Sequence, residues 1–320
     1  MVSLRYNVID AKLSPVLSSI VLLSNSPSNA LHVYDVVART DVSIPLPAVP
    51  VAVSVDATGL MAAVAYDAHV SWIDLQASTI KATCALSSDT SDVALTTAGV
   101  AYVAPETDQW VSLHAIDLTT CTETLESQLY AGARLALDPD ANVLFATQDL
   151  DPSSILRCDL AASPILCSDS EEGADWGMYD YGDNVWLSAD GRRLYTGGGT
   201  TLLVPDDAGG GLYTYGGTLE GVTGVQTLSE APKAGRVALV PGVSYMYYDP
   251  APTIEDTVVR VHETQYLGLI AQYELPYVSG NAQHGKFVFA TSTMDSIYVV
   301  AQAESADDDA GVFSIVRVVP

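Results

Sequence analysis

The apolar positions of this chain fall in short runs broken by turn residues, and the clearest series lies between Val51 and Leu86. VAVSVD leads into Ala57-Thr58-Gly59. LMAAVAY follows to a bend at Asp67-Ala68, HVSWIDL runs to Gln76-Ala77-Ser78, and TIKATCAL completes the set. Runs of this length, rich in β-branched and aromatic side chains and bounded by turn chemistry, predict strands. Four of them in succession, about 40 residues in all, predict one blade of a β-propeller.

The pattern repeats along the chain. SIVLLS, ALHVYDVV and TDVSIPLP give strands two to four of a first blade. A third blade reads DVALTTAG, VAYVAPE, VSLHAIDL, TETLESQL; a fourth reads ARLALDPDA, NVLFATQ, SILRCDL, PILCSD. The third strand of each blade ends in an acid, Asp35, Asp74, Asp117 and Asp159, at spacings of 39, 43 and 42 residues. An Asp at a strand-to-turn boundary can accept the backbone N–H groups of the turn that follows, so these acids read as turn anchors. Beyond Asp169 the pattern loosens. NVWLSADG and RRLYTGG predict the first two strands of blade five, followed by an insertion, GGTTLLVPDDAGGG, before LYTYGGTL. Blade six reads GRVALVPG, YMYYDPAPTIED, TVVRVHET, GLIAQYELP. Blade seven reads HGKFVFATSTMD, SIYVVAQAESADDDAG, FSIVRVVP and lacks a fourth strand, which Ser3 to Ile9 would supply. Pairing the two chain ends in this way removes exposed sheet edges. The expectation is an all-β, seven-bladed propeller of four-stranded antiparallel blades, one domain over residues 1–320, closed by the N-terminal strand.

Charge narrows the partners. The net charge of −26 comes from 39 acids set against only 13 lysines and arginines. A chain so poor in base is unsuited to nucleic acid or to anionic membrane surfaces. No apolar run reaches the length of a membrane span. The N-terminus, MVSLRYNVIDAKL, carries no signal-peptide pattern. Of four cysteines, Cys158 and Cys167 flank a predicted hairpin turn at Ala162-Ser163 and would face each other across paired strands. Opposed Cβ atoms there lie about 4.5–5.5 Å apart, close to disulfide range. A bridge, with Cys84 and Cys121 left unpaired, would indicate an oxidising compartment; two buried thiols are the alternative. Tyr outnumbers Phe 17 to 4, a further pointer to an extracytoplasmic setting.

Propeller topology places candidate sites. Loops joining strands two and three share a face with the blade-to-blade connections. Asp206, Asp207, Glu255, Asp256, Asp307, Asp308 and Asp309 are expected in strand two-to-three loops of blades five to seven. Trp176 lies in the connection entering blade five, and Trp110 borders a loop of blade three; either could stack on a sugar ring. Long loops on a rigid scaffold are where binding usually sits. Calcium is a possible ligand of the acidic loops, although no EF-hand spacing occurs. The first strands would bring Asp92, Arg134, Asp183, Arg236 and His284 to the channel mouth on that face. There they could bind an anionic or hydroxylated ligand, polarise a carbonyl, or pair with one another as a plug. His32, His69, His114 and His262 sit on third strands and are expected to pack. GxSxG, HExxH and a phosphate-binding glycine loop do not occur.

The runs AYVA at Ala101 and IYVV at Ile297, with VSWIDL and LHAIDL in third strands, resemble bacterial YVTN or YncE-type seven-bladed propellers. The resemblance spans nearly the whole chain as a blade pattern, though no blade carries the literal tetrapeptide. That family includes surface-layer and adhesion modules, periplasmic binding proteins, and relatives of lactonase propellers. The resemblance supports the fold far more than any activity. The absence of a catalytic motif and the gathering of irregular loops on one face give the expectation of a non-enzymatic extracytoplasmic module that recognises a protein or glycan partner through that face, without cofactor. The competing expectation is a metal-assisted lactonase-like hydrolase with its site at the channel mouth. Two guanidinium groups there would oppose a divalent cation.

Overall fold

The computed structural model describes residues 1–140, 142–148, 150, 153–169, 181–205, 213–242, 256–304 and 312–320. It contains seven four-stranded antiparallel sheets, the blades of a seven-bladed β-propeller. The chain packs as two compact units.

The unit built mainly from Val8–Leu150 holds four blades. Blade one is β2 (Asp10–Ser14), β3 (Ser19–Ser24), β4 (Ala30–Asp35) and β5 (Thr40–Pro45). Blade two is β6 (Pro50–Val55), β7 (Met61–Tyr66), β8 (His69–Asp74) and β9 (Thr79–Ala85). Blade three is β10 (Asp92–Leu95), β11 (Val100–Ala104), β12 (Trp110–Asp117) and β13 (Thr122–Tyr130). Blade four is β14 (Leu135–Asp138), β15 (Val143–Gln148), β16 (Ser154–Asp159) and β17 (Leu166–Asp169). The second and third strands are apolar on both faces, because each sheet is covered by a neighbour on either side. Val21, Leu23, Leu31 and Val33 of blade one thus pack with Val53, Val64 and Ile73 of blade two. Ala63, Val70 and Cys84 pack in turn with Val93, Val103 and Ile116 of blade three. The outer strands alternate or are exposed, as β5 and β9 show.

The other unit holds three blades. Blade five is β18 (Val185–Leu187), β19 (Arg193–Thr196), β20 (Thr200–Leu203) and β21 (Thr214–Thr218). Blade six is β22 (Val225–Ala231), β23 (Arg236–Pro241), β24 (Val258–Glu263) and β25 (Leu269–Glu274). Blade seven is β26 (Gln283–Ala290), β27 (Ile297–Ala303) and β28 (Phe313–Val318), completed by β1 (Val2–Ser3). β1 pairs antiparallel with β28 through Val2↔Ile315 and Ser3↔Ser314, and Leu4 N donates to Phe313 O at 2.8 Å.

Three expectations shift. The closing strand is two residues long where Ser3 to Ile9 was expected, because Ile9 N already donates to Leu23 O in blade one. The expected insertion of blade five contains its third strand, Thr200–Leu203; four residues between glycine and Val-Pro were too short a run to stand out. Asp206 and Asp207 therefore follow strand three and do not precede it. In blade six the first strand is Val225–Ala231, and the run from Arg236 is the second. The sequence VQTLSEA is half polar, which hid it, and Arg236 is placed accordingly below.

Candidate functional site

The acids that close the third strands act as turn anchors. Asp35 accepts from Val37 N and Ala38 N at 2.8 and 2.7 Å, and Asp74 from Ala77 N at 2.8 Å. Asp117 accepts from Thr119 N and Asp159 from Ala161 N, at 2.8 and 2.9 Å. Glu263 does the same in blade six for Gln265 N and Tyr266 N, at 2.8 and 2.6 Å.

Three residues before that acid, the third strand carries a polar side chain that bonds across to the fourth strand. His32 Nδ1 meets Asp41 Oδ2 at 3.0 Å, and Ser71 Oγ meets Thr83 Oγ1 at 2.7 Å. His114 Nδ1 meets Glu123 Oε1 at 2.6 Å, and Arg260 Nε donates to Gln272 Oε1 at 3.1 Å. In blade one Ser24 Oγ also lies 3.2 Å from His32 Nε2, which reproduces the order of a serine-protease triad. Ser24 is 1% exposed. A nucleophile must reach its carbonyl, and this one is sealed. The His32–Asp41 pair it meets belongs to a ladder that three other blades repeat with different residue pairs, which marks that pair as structural. Three of the five histidines are thus accounted for: His32 and His114 in this ladder, and buried His262, whose Nε2 lies 3.0 Å from Glu220 O. Burial lowers the His262 pKa.

Of the five residues expected at the channel mouth, four stand at or beside the start of a first strand. Asp92 opens β10 and His284 is the second residue of β26, while Arg134 and Asp183 precede β14 and β18 by one and two residues. Arg236 does not join them. It opens the second strand, opposite Ala231 at the far end of β22, after a 3-10 turn at Pro232–Ala234.

In the four-blade unit Asp92 is buried. Its Oδ1 accepts from Val93 N at 2.8 Å and its Oδ2 from Leu135 N of blade four at 2.9 Å. Asp10 repeats the arrangement, accepting from Ala11 N and from Val53 N of blade two, both at 2.7 Å. Each carboxylate thus joins two adjacent inner strands. Lys12 Nζ lies 3.8 Å from Asp10 Oδ1, and Arg134 Nη1 donates to Ser91 O at 2.7 Å. The hydrophobic pattern marks no first strand for blade one, so it does not single out Asp10 and Lys12. The signal available was the recurrence of an acid before a small apolar residue, Asp10-Ala11 and Asp92-Val93. In blade five the corresponding residue is Asn184, which accepts from Val185 N at 2.9 Å, and not the neighbouring Asp183.

In the three-blade unit His284 Nδ1 lies 2.7 Å from Asp256 Oδ1, and Gly285 N donates to Asp256 O at 2.7 Å. A Cβ at Gly285 would stand 2.7 Å from Val240 Cγ2, so the close approach requires glycine. Asp256 precedes β24, as expected of a strand two-to-three loop. Trp176, Asp206, Asp207, Glu255, Asp307, Asp308 and Asp309 lie outside the described residues. Among the described residues no group of three or more His, Cys, Asp or Glu side chains could hold a metal ion.

Trp110 opens β12 and is 50% exposed. Tyr130 meets it edge-on, centroids 5.6 Å apart at 85°. The loop before it is tied down: Asp89 accepts from Glu106 N at 3.0 Å and from the Thr107 hydroxyl, and Ala131 N donates to Gln109 O at 3.1 Å. Asp108 takes a positive φ of 92° and accepts from Gln109 N at 2.9 Å.

A disulfide joins Cys158 to Cys167, which are directly opposed on β16 and β17 with Cα atoms 3.9 Å apart. Cys84 and Cys121, expected unpaired, are also joined, with Cα atoms 5.0 Å apart. This second bridge links the outer strand of blade two to the β12–β13 turn of blade three. A reading confined to one blade at a time could not see it.

No family model matches the chain, and no curated protein sequence matches it. Solved structures do. The Myceliophteria thermophila Cps50 (Swd1) β-propeller domain superposes with a TM-score of 0.70 at 11% identity, over 98% of this chain and 97% of that one. The likeness is one of fold. Kuenenia stuttgartiensis hydrazine synthase gives 0.65 at 13% identity, over 99% and 97%, and a chain of the mitotic checkpoint complex gives 0.66 at 14%, over 98% and 87%. Among the described residues no helix is long and apolar enough to cross a membrane.

Proposed function

We propose that this propeller is a non-enzymatic binding module of the YVTN or YncE type, acting outside the cytoplasm on a protein or glycan partner. The observation that carries the reading is Trp110: a large aromatic ring, half exposed, presented by a loop fixed through Asp89, Asp108 and Gln109. A rigid aromatic anchor contributes contact area at little cost in conformational entropy, and such anchors dominate recognition surfaces. The propeller fold shared with a mitotic checkpoint complex chain is compatible with assembly into a protein complex. Two disulfides support an oxidising compartment. The low number of basic residues favours protein or glycan over nucleic acid.

The test is a comparison of wild type with Trp110→Ala on glycan arrays and against extracellular protein extracts, with melting followed in parallel. Loss of specific retention at an unchanged melting temperature supports the reading. Undiminished retention by Trp110→Ala, or turnover of lactones or esters that is lost on chelation, overturns it in favour of another face or of the hydrolase.

A further inference from the structure

Blade three contains neither lysine nor arginine. None occurs between Lys81 and Arg134, and that interval holds the whole of β10 to β13. The two flanking bases are engaged elsewhere. The Lys81 ammonium lies 4.2 Å from the centre of the Trp72 ring, and Arg134 Nη1 donates to Ser91 O at 2.7 Å. Carboxylates, by contrast, gather beside Trp110. Glu106 and Asp108 are exposed on the β11–β12 loop that leads into it, and Asp89 ties that loop down at Glu106 N and the Thr107 hydroxyl. Asp108 Oδ1 accepts from Gln109 N of the same loop, and among the described residues no cationic side chain pairs with Asp89, Glu106 or Asp108. The Trp110 and Tyr130 rings stand at 85° to one another. Gly132 is held to the loop by its N–H, which donates to Pro105 O at 2.9 Å. A Cβ there would meet nothing within 4 Å beyond its chain neighbours. The half-exposed indole thus borders open space rimmed by unpaired negative charge.

We propose that the Trp110 site recognises a lysine or arginine side chain, presented by a basic segment of a protein partner. That choice of ligand rests on the reading of Trp110 as the recognition anchor and narrows what it binds. An aromatic face attracts a cation through its quadrupole, and carboxylates beside it add a Coulomb attraction of the same sign. A neutral sugar would use the ring face but not the net charge around it. Arginine fits best, because a guanidinium stacks flat on an indole while its N–H groups reach carboxylates in its own plane. The loop is fixed before the ligand arrives, through Asp89 and through Ala131 N and Gly132 N, so binding loses little entropy in ordering it. A partner with such a segment meets no repelling lysine or arginine on blade three, and the attraction, being at an exposed site, weakens with salt.

The test titrates the full chain, nitrogen-15 labelled, with three kinds of probe: a tetrapeptide with two arginines and blocked ends, the same peptide with citrulline in their place, and the neutral sugars chitotriose and maltotriose. The readouts are the Trp110 indole N–H and the Gln109 and Gly132 amide resonances. The expected result is a saturable shift with the arginine peptide, about tenfold weaker with the citrulline peptide and weakened by added sodium chloride. Followed at Gly132, binding should weaken about fivefold in Trp110→Leu and about threefold in Glu106→Gln. Asp140→Asn removes the same charge at an exposed turn of the opposite face and should change nothing. Melting curves check folding, and Glu106→Gln, at an exposed position, carries the test where Trp110→Leu fails to fold. Saturation by a neutral sugar that depends on Trp110, without saturation by the arginine peptide, overturns the choice of ligand and leaves Trp110 as the anchor. Peptide binding that is equal in wild type and Trp110→Leu, or that Asp140→Asn weakens as much as Glu106→Gln, overturns the proposal as attraction to net charge alone. Absence of saturation with every probe overturns it as well.

Discussion

Replacing Cys121 by Ala removes the bridge between blades two and three at its exposed end and leaves Cys84 in place within the core. A disulfide stabilises chiefly by restricting the unfolded chain, by an amount that grows with the logarithm of the loop it closes. Cys84 and Cys121 are 37 residues apart, whereas Cys158 and Cys167 are 9 apart. The chain-entropy relation then gives about 4 kcal/mol for the first bridge and about 2.5 kcal/mol for the second. Cys121→Ala should therefore lower the unfolding free energy by about 4 kcal/mol, and by more than Cys167→Ala does. Urea unfolding of oxidised protein, followed by tryptophan fluorescence and by circular dichroism, measures both. Wild type in reductant should fall to the stability of the double variant. An oxidised Cys121→Ala protein with a wild-type midpoint would refute the account, as would a larger loss from Cys167→Ala. Either result would mean that Cys84 and Cys121 do not pair, or that blades two and three are held elsewhere.

Other outcomes are equally specific. Asp92→Ala leaves Val93 N and Leu135 N without their acceptor at a buried position, and chemical denaturation should show a loss of about 2–4 kcal/mol. Gly285→Ala forces a Cβ against the buried Val240 side chain, and the same assay should show a loss of about 1–3 kcal/mol, with altered His284 resonances from the shifted Asp256 contact. Burial acts to raise the Glu123 pKa, but hydrogen bonds from His114 and Ser87 outweigh it and hold the carboxyl below its ordinary range. Its contribution is therefore complete above the unfolded-state pKa of about 4.5 and is lost as pH falls through the lower folded value. Glu123→Gln should flatten that part of the acid-unfolding profile, and an unchanged profile would contradict the assignment. Deleting Met1 to Leu4 exposes the edge of β28, so thermal unfolding should begin earlier and aggregation should increase; an unchanged melting curve would show that β1 closes nothing.

Blade architecture was legible where the sequence alternates cleanly between long apolar runs and turn residues, as it does from Ser19 to Asp169. The terminal acids gave the period because each repeats one local task, accepting amides of the next turn. Blades five and six are less legible. Thr200–Leu203 is short and framed by glycine, and Val225–Ala231 is half polar, so neither produces the expected pattern. That second omission is what misplaced Arg236. The site was less legible than the fold, since its residues come from different blades and their meeting depends on how sheets stack. Asp10 with Val53, Asp92 with Leu135, and Cys84 with Cys121 are all contacts between blades. Periodicity within one sheet carries no record of them. The Cys158–Cys167 pair, by contrast, lies within one hairpin, where register alone puts the two residues opposite each other.

The measurement that bears most directly on the proposed recognition role is hydrogen exchange of the propeller with and without its captured partner. The account predicts new protection in the loop from Pro105 to Trp110 and at Tyr130 to Gly132, which hold the exposed aromatic. Protection confined to the opposite face, at the turns Asp56–Gly59 and Asp138–Asp140, or to the outer strands, would contradict it.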